Sequence, residues 1–233
     1  MAIFYTEINQ NIQHVNRKTK FDYGLSQNFT YTSDKIYFCV LISGGESKPQ
    51  IIQNENYILF VHGNCPNVSL DNYTEIDDLF GNFNLIHIDK KNNVIKFVKD
   101  FSNSFDSFLF KNNERIIMTN NPLLIPKKGL GLDYQSIAQY FLQSTGFFPM
   151  NYFFKGISKI MPGSIFTIDT DFQVKFEKQK IQNKEITFES FSNAFDEIIK
   201  KNILLNNSEK KSVDLTGGYD TRLITACFLK NNA

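Results

Sequence analysis

The sequence lacks most of the features that would assign it to a broad class at once. Its 233 residues include no tryptophan, and three irregularly spaced cysteines form neither a disulfide framework nor a zinc pattern. No apolar run approaches the roughly 18 residues that span a bilayer. The N-terminus has neither the basic nor the apolar region of a signal peptide. We therefore expect a cytoplasmic protein that does not enter a membrane.

A strong excess of either charge is missing as well. The 25 Lys and Arg residues face 24 Asp and Glu residues, which gives a formal net charge of +1. Proteins that bind nucleic acids usually carry clustered Lys and Arg residues, because the phosphate backbone dominates affinity. We therefore expect no nucleic-acid partner. The hydrophobic content of 42% and the charged content of 21% are typical of an ordinary globular protein.

Short strands dominate the first two thirds of the chain. The runs rich in β-branched and aromatic residues are Ile36–Ser43, Tyr57–Val61, Asn84–Asp89, Val94–Lys99, Ser107–Phe110, Arg115–Thr119, Gly163–Asp169 and Gln173–Glu177. Polar turn residues between the last six of these predict three hairpins. Strands at this spacing indicate a layered, β-rich domain.

Helical patterns are fewer. The predicted helices are Glu75–Phe80, Tyr134–Leu142 after the N-cap Asp133, Thr187–Leu205 and Thr221–Lys230. A polar stretch at 178–184 has no periodicity and reads as a linker. We place a domain boundary near 180–186, which divides the chain into domains 1–182 and 183–233.

The last 23 residues form a strand, a Gly-Gly turn and a helix, the opening of an α/β unit. Glycines let the backbone approach an anion closely, and the N–H groups at a helix start attract it. Two threonines add hydroxyl donors, and an aspartate in such a site calls for a cation such as Mg²⁺. A plain turn with the aspartate as N-cap explains the spacing equally well. The residues concerned are Thr216, Gly217, Gly218, Asp220 and Thr221.

This loop resembles a known phosphate-binding motif. The segment 214–222, Asp-Leu-Thr-Gly-Gly-Tyr-Asp-Thr-Arg, is similar to the Ser-Gly-Gly-x-Asp-Ser motif of the ATP-pyrophosphatase family. Arg222 extends the match to the Gly-Gly-Tyr-Asp-Ser-Arg variant of asparagine-synthetase-like proteins. The resemblance implies that the two glycines and two threonines hold the pyrophosphate of ATP. It also implies that Asp220 contacts Mg²⁺.

Three upstream segments resemble the same proteins. The stretch 81–89 looks like the Gly-x-Phe strand of class II glutamine amidotransferases and asparagine synthetases. The stretches 99–110 and 154–166 are similar to their Arg-Asp and Phe-x-Gly-Ile…Pro-Gly segments. The resemblance implies an α+β, Ntn-hydrolase-like four-layer sandwich, with helices on two antiparallel sheets. The first β-loop-α unit of an α/β ATP-pyrophosphatase domain would follow it.

The chain departs from that family at its glutaminase site. Ala2 stands where an active domain carries its N-terminal Cys nucleophile. Gly63 matches the glycine of the family's oxyanion hole, but His62 replaces the Asn. A strand-end histidine with local hydrogen bonds also explains His62, and Cys65 is the only thiol nearby. The resemblance therefore implies a degenerate amidotransferase domain, similar in this respect to β-lactam synthetase.

These inferences predict an ATP-dependent ligase with ATP and Mg²⁺ as cofactors. It would adenylate a small-molecule carboxylate, release pyrophosphate and form an amide with ammonia or an amine. A non-catalytic interaction or scaffold module and a glutamine-hydrolysing asparagine synthase are the alternatives. The end at Ala233, just after the first helix of the ATP domain, favours a fragment of a longer protein. The sequence leaves open a homo-oligomer.

Overall fold

The computed structural model consists of two compact units, Met1–Gln179 and Lys180–Ala233. The described residues are 2–9, 25–43, 49–74, 79, 81–102, 104–142, 152–178, 187–205 and 218–230. Within these residues, no helix is long and apolar enough to cross a membrane.

Six antiparallel strands of the first unit form one sheet. In chain order they are β1 (Ala2–Asn9), β2 (Leu25–Thr32), β3 (Ile36–Ser43), β8 (Phe108–Lys111), β9 (Arg115–Thr119) and β10 (Ile157–Lys159). Their spatial order is β10-β8-β9-β1-β3-β2. The N-terminal strand β1 therefore lies inside the sheet, paired with β3 on one side and β9 on the other.

A second antiparallel sheet contains the other six strands. They are β4 (Gln50–Gln53), β5 (Tyr57–Asn64), β6 (Asn82–Asp89), β7 (Val94–Lys99), β11 (Ser164–Ile168) and β12 (Val174–Lys178), in the spatial order β12-β11-β7-β6-β5-β4. The three predicted hairpins are confirmed, since β6 pairs with β7, β8 with β9 and β11 with β12.

The two sheets pack face to face because each strand turns alternate apolar side chains inward. Phe4 of the first sheet meets Phe60 of the second in an edge-to-face contact with ring centroids 6.0 Å apart. Phe38 and Phe97 extend this core, and all four rings are fully buried. The predicted α+β class with two antiparallel sheets is confirmed.

Smaller apolar clusters cover the outer faces of the sheets. On the first sheet, Tyr5, Cys39 and Ile117 pack beneath residues that follow β9. On the second sheet, Leu59, Leu85 and Val98 pack beneath the segment after β5, which contributes Cys65, Val68 and Tyr73. Because these strands are buried on both faces, their sequences are nearly continuous apolar runs.

The strand predictions missed β1, β2, β4 and β10. On β1 the side chains of Thr6 and Glu7 interrupt the apolar pattern, although both residues are buried. Glu7 is accommodated by the hydroxyl of Tyr5, which donates to it at 2.6 Å, and by Arg115 at 3.8 Å. Because these partners lie on the outer face of the same sheet, the burial of Glu7 depends on tertiary contacts.

Three α-helices are described: α1 (Tyr134–Leu142), α2 (Phe188–Leu205) and α3 (Tyr219–Lys230). The backbone N–H of Ser136 donates to Asp133, which confirms the predicted N-cap of α1. The apolar face of α1 is largely exposed, because Phe141 keeps 77% of its accessible surface. The predicted four-layer sandwich has helices on both sheets. Within the described residues of the first unit, α1 is the only α-helix.

The second unit contains α2 and α3, which contact each other. Thr187 caps α2 by accepting a hydrogen bond from the N–H of Ser190 at 3.1 Å. Lys230 of α3 pairs with Asp196 of α2 at 3.4 Å. The predicted strand at 212–215 and the predicted helix at 75–80, except for Leu79, lie outside the described residues.

Replacement of Phe60 by alanine tests the core between the sheets. We expect Phe60→Ala to lower the free energy of unfolding by about 3–5 kcal/mol, because a cavity replaces a fully buried ring. Phe176→Ala is the matched control, since this ring on β12 is 50% exposed, and it should cost no more than about 1 kcal/mol. Equal losses in urea denaturation would contradict the packing described.

Candidate functional site

A row of polar side chains crosses the inner face of the second sheet at one end. His62 on β5 lies opposite Asn84 on β6, and Asn84 lies opposite Lys99 on β7. The side chains of all three residues point to the inner face of the sheet, as the core phenylalanines do, yet they are polar. Asn84 and Lys99 are completely buried, and His62 is 6% exposed. Buried polar groups of this kind require hydrogen-bond partners.

Two contacts join this row to the first sheet. The amide nitrogen of Asn84 donates to the hydroxyl of Ser107, just before β8, at 3.0 Å. The amide nitrogen of Asn120, just after β9, lies 3.1 Å from Nε2 of His62. The sheets are therefore linked through hydrogen bonds at this end, whereas their centre is apolar.

Asn120 also fixes the start of β1. Its side-chain oxygen accepts a hydrogen bond from the N–H of Phe4 at 3.0 Å, and its nitrogen donates to the carbonyl of Ala2 at 2.9 Å. These bonds continue the ladder beyond Tyr5 and Thr119, the last pair between β1 and β9. Asn120 thereby brings the backbone of Ala2 next to His62.

The imidazole of His62 is neutral near pH 7. Burial lowers its pKa to about 4, although a hydrogen bond with the carbonyl of Ala2 opposes this shift. The rings of Phe105 and Phe4 lie edge-on, with centroids 4.7 Å and 5.8 Å from that of His62. A neutral imidazole offers one donor and one acceptor.

Both ring nitrogens of His62 face side-chain amides. The oxygen of Asn120 is committed to the Phe4 N–H, so its amide nitrogen is the atom that lies beside Nε2 of His62. Nδ1 lies 3.4 Å from the amide nitrogen of Asn84, whose buried oxygen has no partner within the described residues. The tautomer of the ring sets which of these contacts donates and which accepts.

Gly63 occupies a position that only glycine fits. Its φ angle is +102°, and a Cβ atom would lie 2.3 Å from the carbonyl oxygen of Asn82 and 2.5 Å from the ring of Phe105. The structure thus brings together the two residues predicted at the oxyanion-hole position, His62 and Gly63, with Ala2 beside His62. Phe105 packs against both.

Lys99 and Asp100 complete this end of the sandwich. The Lys99 ammonium donates to the carbonyl of Ile160 at 3.0 Å. Burial lowers the pKa of Lys99 to about 8, and nearby Asp106 opposes the shift. Asp100 accepts hydrogen bonds from Phe83 N–H and Ser102, while its second oxygen has no partner within the described residues. The sequence resemblance covered Lys99 and Asp100 but gave them no role.

Cys65 lies away from this site. It is 1% exposed and packs with Leu59, Val61 and Leu85, on the outer face of the second sheet. His62 points to the opposite, inner face. Because the sheet separates the thiol from the imidazole, they do not form a nucleophile–base pair.

The predicted phosphate loop is described in part. Thr216 and Gly217 lie outside the described residues, as does the side chain of Asp220, which belongs to the first turn of α3. The hydroxyl of Thr221 and Nε of Arg222 each donate to the carbonyl of Gly218 at 3.3 Å. No group of three His, Cys, Asp or Glu side chains that could hold a metal ion occurs among the residues with described side chains.

Comparison with known proteins gives structural likenesses at low sequence identity. No family model matches the chain. No curated protein matches it either. Solved structures that match include the glutamine phosphoribosylpyrophosphate amidotransferase from B. subtilis complexed with ADP and GMP, with a TM-score of 0.40 and 8% identity over 78% of this chain. Another, described as the allosteric regulatory enzyme of purine biosynthesis, has a TM-score of 0.36 and 10% identity over 77% of this chain. The match covers 50% and 43% of those two chains, so this chain spans about half their length.

Titration of His62 gives a pH test of the site. Between its unfolded pKa of 6.5 and its native value of about 4, only the unfolded imidazole takes up a proton. Stability therefore falls as pH falls through this window, by up to about 3 kcal/mol from His62 alone. We expect His62→Gln to flatten the pH dependence of urea unfolding over this range.

His87→Gln is the matched variant, since burial also lowers the pKa of His87 to about 4. It should remove a comparable, separate part of the slope, while the carboxylate contribution stays the same in both variants. An unchanged slope in His62→Gln would contradict a buried, neutral His62.

Proposed function

We propose that the chain belongs to an ATP-dependent, amide-forming ligase of the asparagine-synthetase-like type, and that its first unit does not hydrolyse glutamine. The observation that carries this proposal is the environment of Ala2. Its carbonyl is held beside His62, at the position where the resemblance puts the glutaminase centre, and its side chain has no nucleophile. The ligase half of the proposal rests on the loop before α3.

The hydrogen bonds around His62 support an inactive glutaminase site. The hydroxyl of Thr119 donates to the carbonyl of Phe4 at 2.6 Å, and the Lys99 ammonium donates to Ile160. Ser107 is engaged with Asn84, and Cys65 lies on the other face of the sheet. The Thr119, Lys99 and Ser107 side chains are therefore engaged in hydrogen bonds, and Cys65 is remote from His62.

Phe105 adds a steric argument. Its ring contacts Gly63, whose N–H group would contribute to the oxyanion hole in the family that the sequence resembles. An oxyanion hole works only when its donors face an open position where charge develops. A ring packed this closely against Gly63 leaves little room beside the glycine for a tetrahedral intermediate, which supports an inactive glutaminase site.

The second unit supplies the residues for ATP. The start of α3 offers backbone N–H groups, the Thr221 hydroxyl and Arg222, groups that suit phosphate oxygens. Thr216, Gly217 and Gly218 would line the loop around the pyrophosphate, and Asp220 would hold Mg²⁺. Bound ATP supplies the activation of the carboxylate, and the residues named here bind and orient its phosphates.

An ATP–pyrophosphate exchange assay on the longest natural form of the protein tests the ligase proposal. We expect exchange that depends on a carboxylate substrate, and a loss of at least about 100-fold in Asp220→Ala, because the metal ligand is removed. Asp171→Asn, in the exposed turn between β11 and β12, is the control and should leave exchange unchanged. Equal exchange in wild type and Asp220→Ala would exclude the role of Asp220.

Two further assays separate the alternatives. The first is calorimetry with MgATP. If neither the wild-type protein nor Gly217→Val binds MgATP, the non-catalytic scaffold module is favoured over the ligase. Release of glutamate from glutamine by the wild-type protein would instead favour a glutamine-hydrolysing asparagine synthase. We expect no glutamate release from wild type or from Cys65→Ala.

A further inference from the structure

A pocket of about 730 Å³ lies on the outer face of the second sheet, away from the row that contains His62. Its floor is formed by Tyr57, His87 and Lys96. These residues lie on three adjacent strands, and their side chains point to the outer face of the sheet. Asp71 and Tyr73, from the segment after β5, form one wall. The volume lies within the range of small-molecule sites.

His87 is the polar centre of this pocket. It is 6% exposed, and its buried Nδ1 has no hydrogen-bond partner within the described residues. The Tyr73 ring stacks on the imidazole with centroids 4.2 Å apart and planes 14° apart, and the Tyr57 ring lies 5.2 Å away on a tilted plane. These contacts fix the ring, so the unpaired nitrogen is held in one orientation. Buried polar atoms of this kind are usually paired.

The charges of the lining disfavour an anionic ligand. Lys96 contributes one positive charge, and Asp71 and Asp89 contribute two negative charges. Asp89 already accepts hydrogen bonds from the N–H groups of Lys91 and Asn92 and from the Asn92 amide. A phosphate or carboxylate would therefore meet one ammonium and two carboxylates, in contrast to the clustered cations of anion sites.

The ring stack disfavours a flat heterocycle. Tyr73 and Tyr57 both contact the imidazole of His87, and the Lys96 ammonium lies 5.8 Å from the centroid of the Tyr73 ring. A planar ligand would have to displace one of these groups in order to stack. The pocket instead presents hydroxyl, amide and imidazole groups, including Tyr73, whose phenol keeps its proton because burial raises its pKa to about 12.

We propose that this pocket binds a neutral polyhydroxylated ligand of the size of a sugar residue, with the imidazole of His87 at its floor. Hydroxyl groups both donate and accept, so they match a lining of Asn54, Asn92, Asp71 and two tyrosines. Leu70 and Val94 provide the small apolar surface that a sugar ring covers. This site does not depend on the ligase proposal.

The test is a titration of the full, ¹⁵N-labelled chain with D-glucose, N-acetylglucosamine, inorganic phosphate and adenosine, followed by NMR. We expect saturable shifts of the backbone amides of His87 and Asn92 with at least one neutral sugar. His87→Phe keeps the ring stack but removes both nitrogens, and it should weaken binding about tenfold, as for the loss of one hydrogen bond. Glu114→Gln, in the exposed β8–β9 turn, should leave binding unchanged.

Asp71→Ala keeps the test decisive if His87→Phe does not fold, because Asp71 is an exposed wall residue. It should weaken sugar binding several-fold. The absence of saturable shifts with both sugars would overturn the proposal. Tighter binding of phosphate or adenosine in this pocket, or unchanged sugar binding in both pocket variants, would also overturn it.

Discussion

The arrangement of the first unit depends on hydrogen bonds that join its two sheets at one end. Elsewhere the sheets meet through fully buried aromatic and aliphatic side chains, which hold the layers together without specifying a site. At this end, Asn84 contacts Ser107, and His62 contacts Asn120. A buried polar group is costly unless it is paired, so these contacts fix how the sheet ends are aligned.

The same contacts determine what the end of the sandwich can do. Asn120 uses both atoms of its amide to hold the first residues of β1, and it leaves His62 with a neutral ring beside Ala2. Gly63 permits the close approach of Phe105. The side chains of Asn84, Ser107 and Asn120 are engaged in hydrogen bonds that hold this end together. The pocket around His87 lies on the opposite face of the second sheet, and one buried nitrogen there has no partner within the described residues.

Much of the sheet structure could be predicted from sequence, since β3, β7 and β9 follow apolar runs with clear turn residues at their ends. The N-terminal strand could not, because Thr6 and Glu7 are polar residues whose burial depends on distant partners. His62 and Gly63 were found through a family resemblance. Asn84 and Asn120 were missed, because they meet His62 across 22 and 58 residues of chain, and no local pattern encodes such contacts.

A double-mutant cycle on Asn84→Ala and Ser107→Ala tests the link between the sheets most directly. Each residue is completely buried; Asn84 lies on β6 of the second sheet, and Ser107 lies just before β8 of the first sheet. If the hydrogen bond at 3.0 Å aligns the sheet ends, the free energies of unfolding should be non-additive by about 1 kcal/mol or more. Additive losses in the double variant would contradict the account.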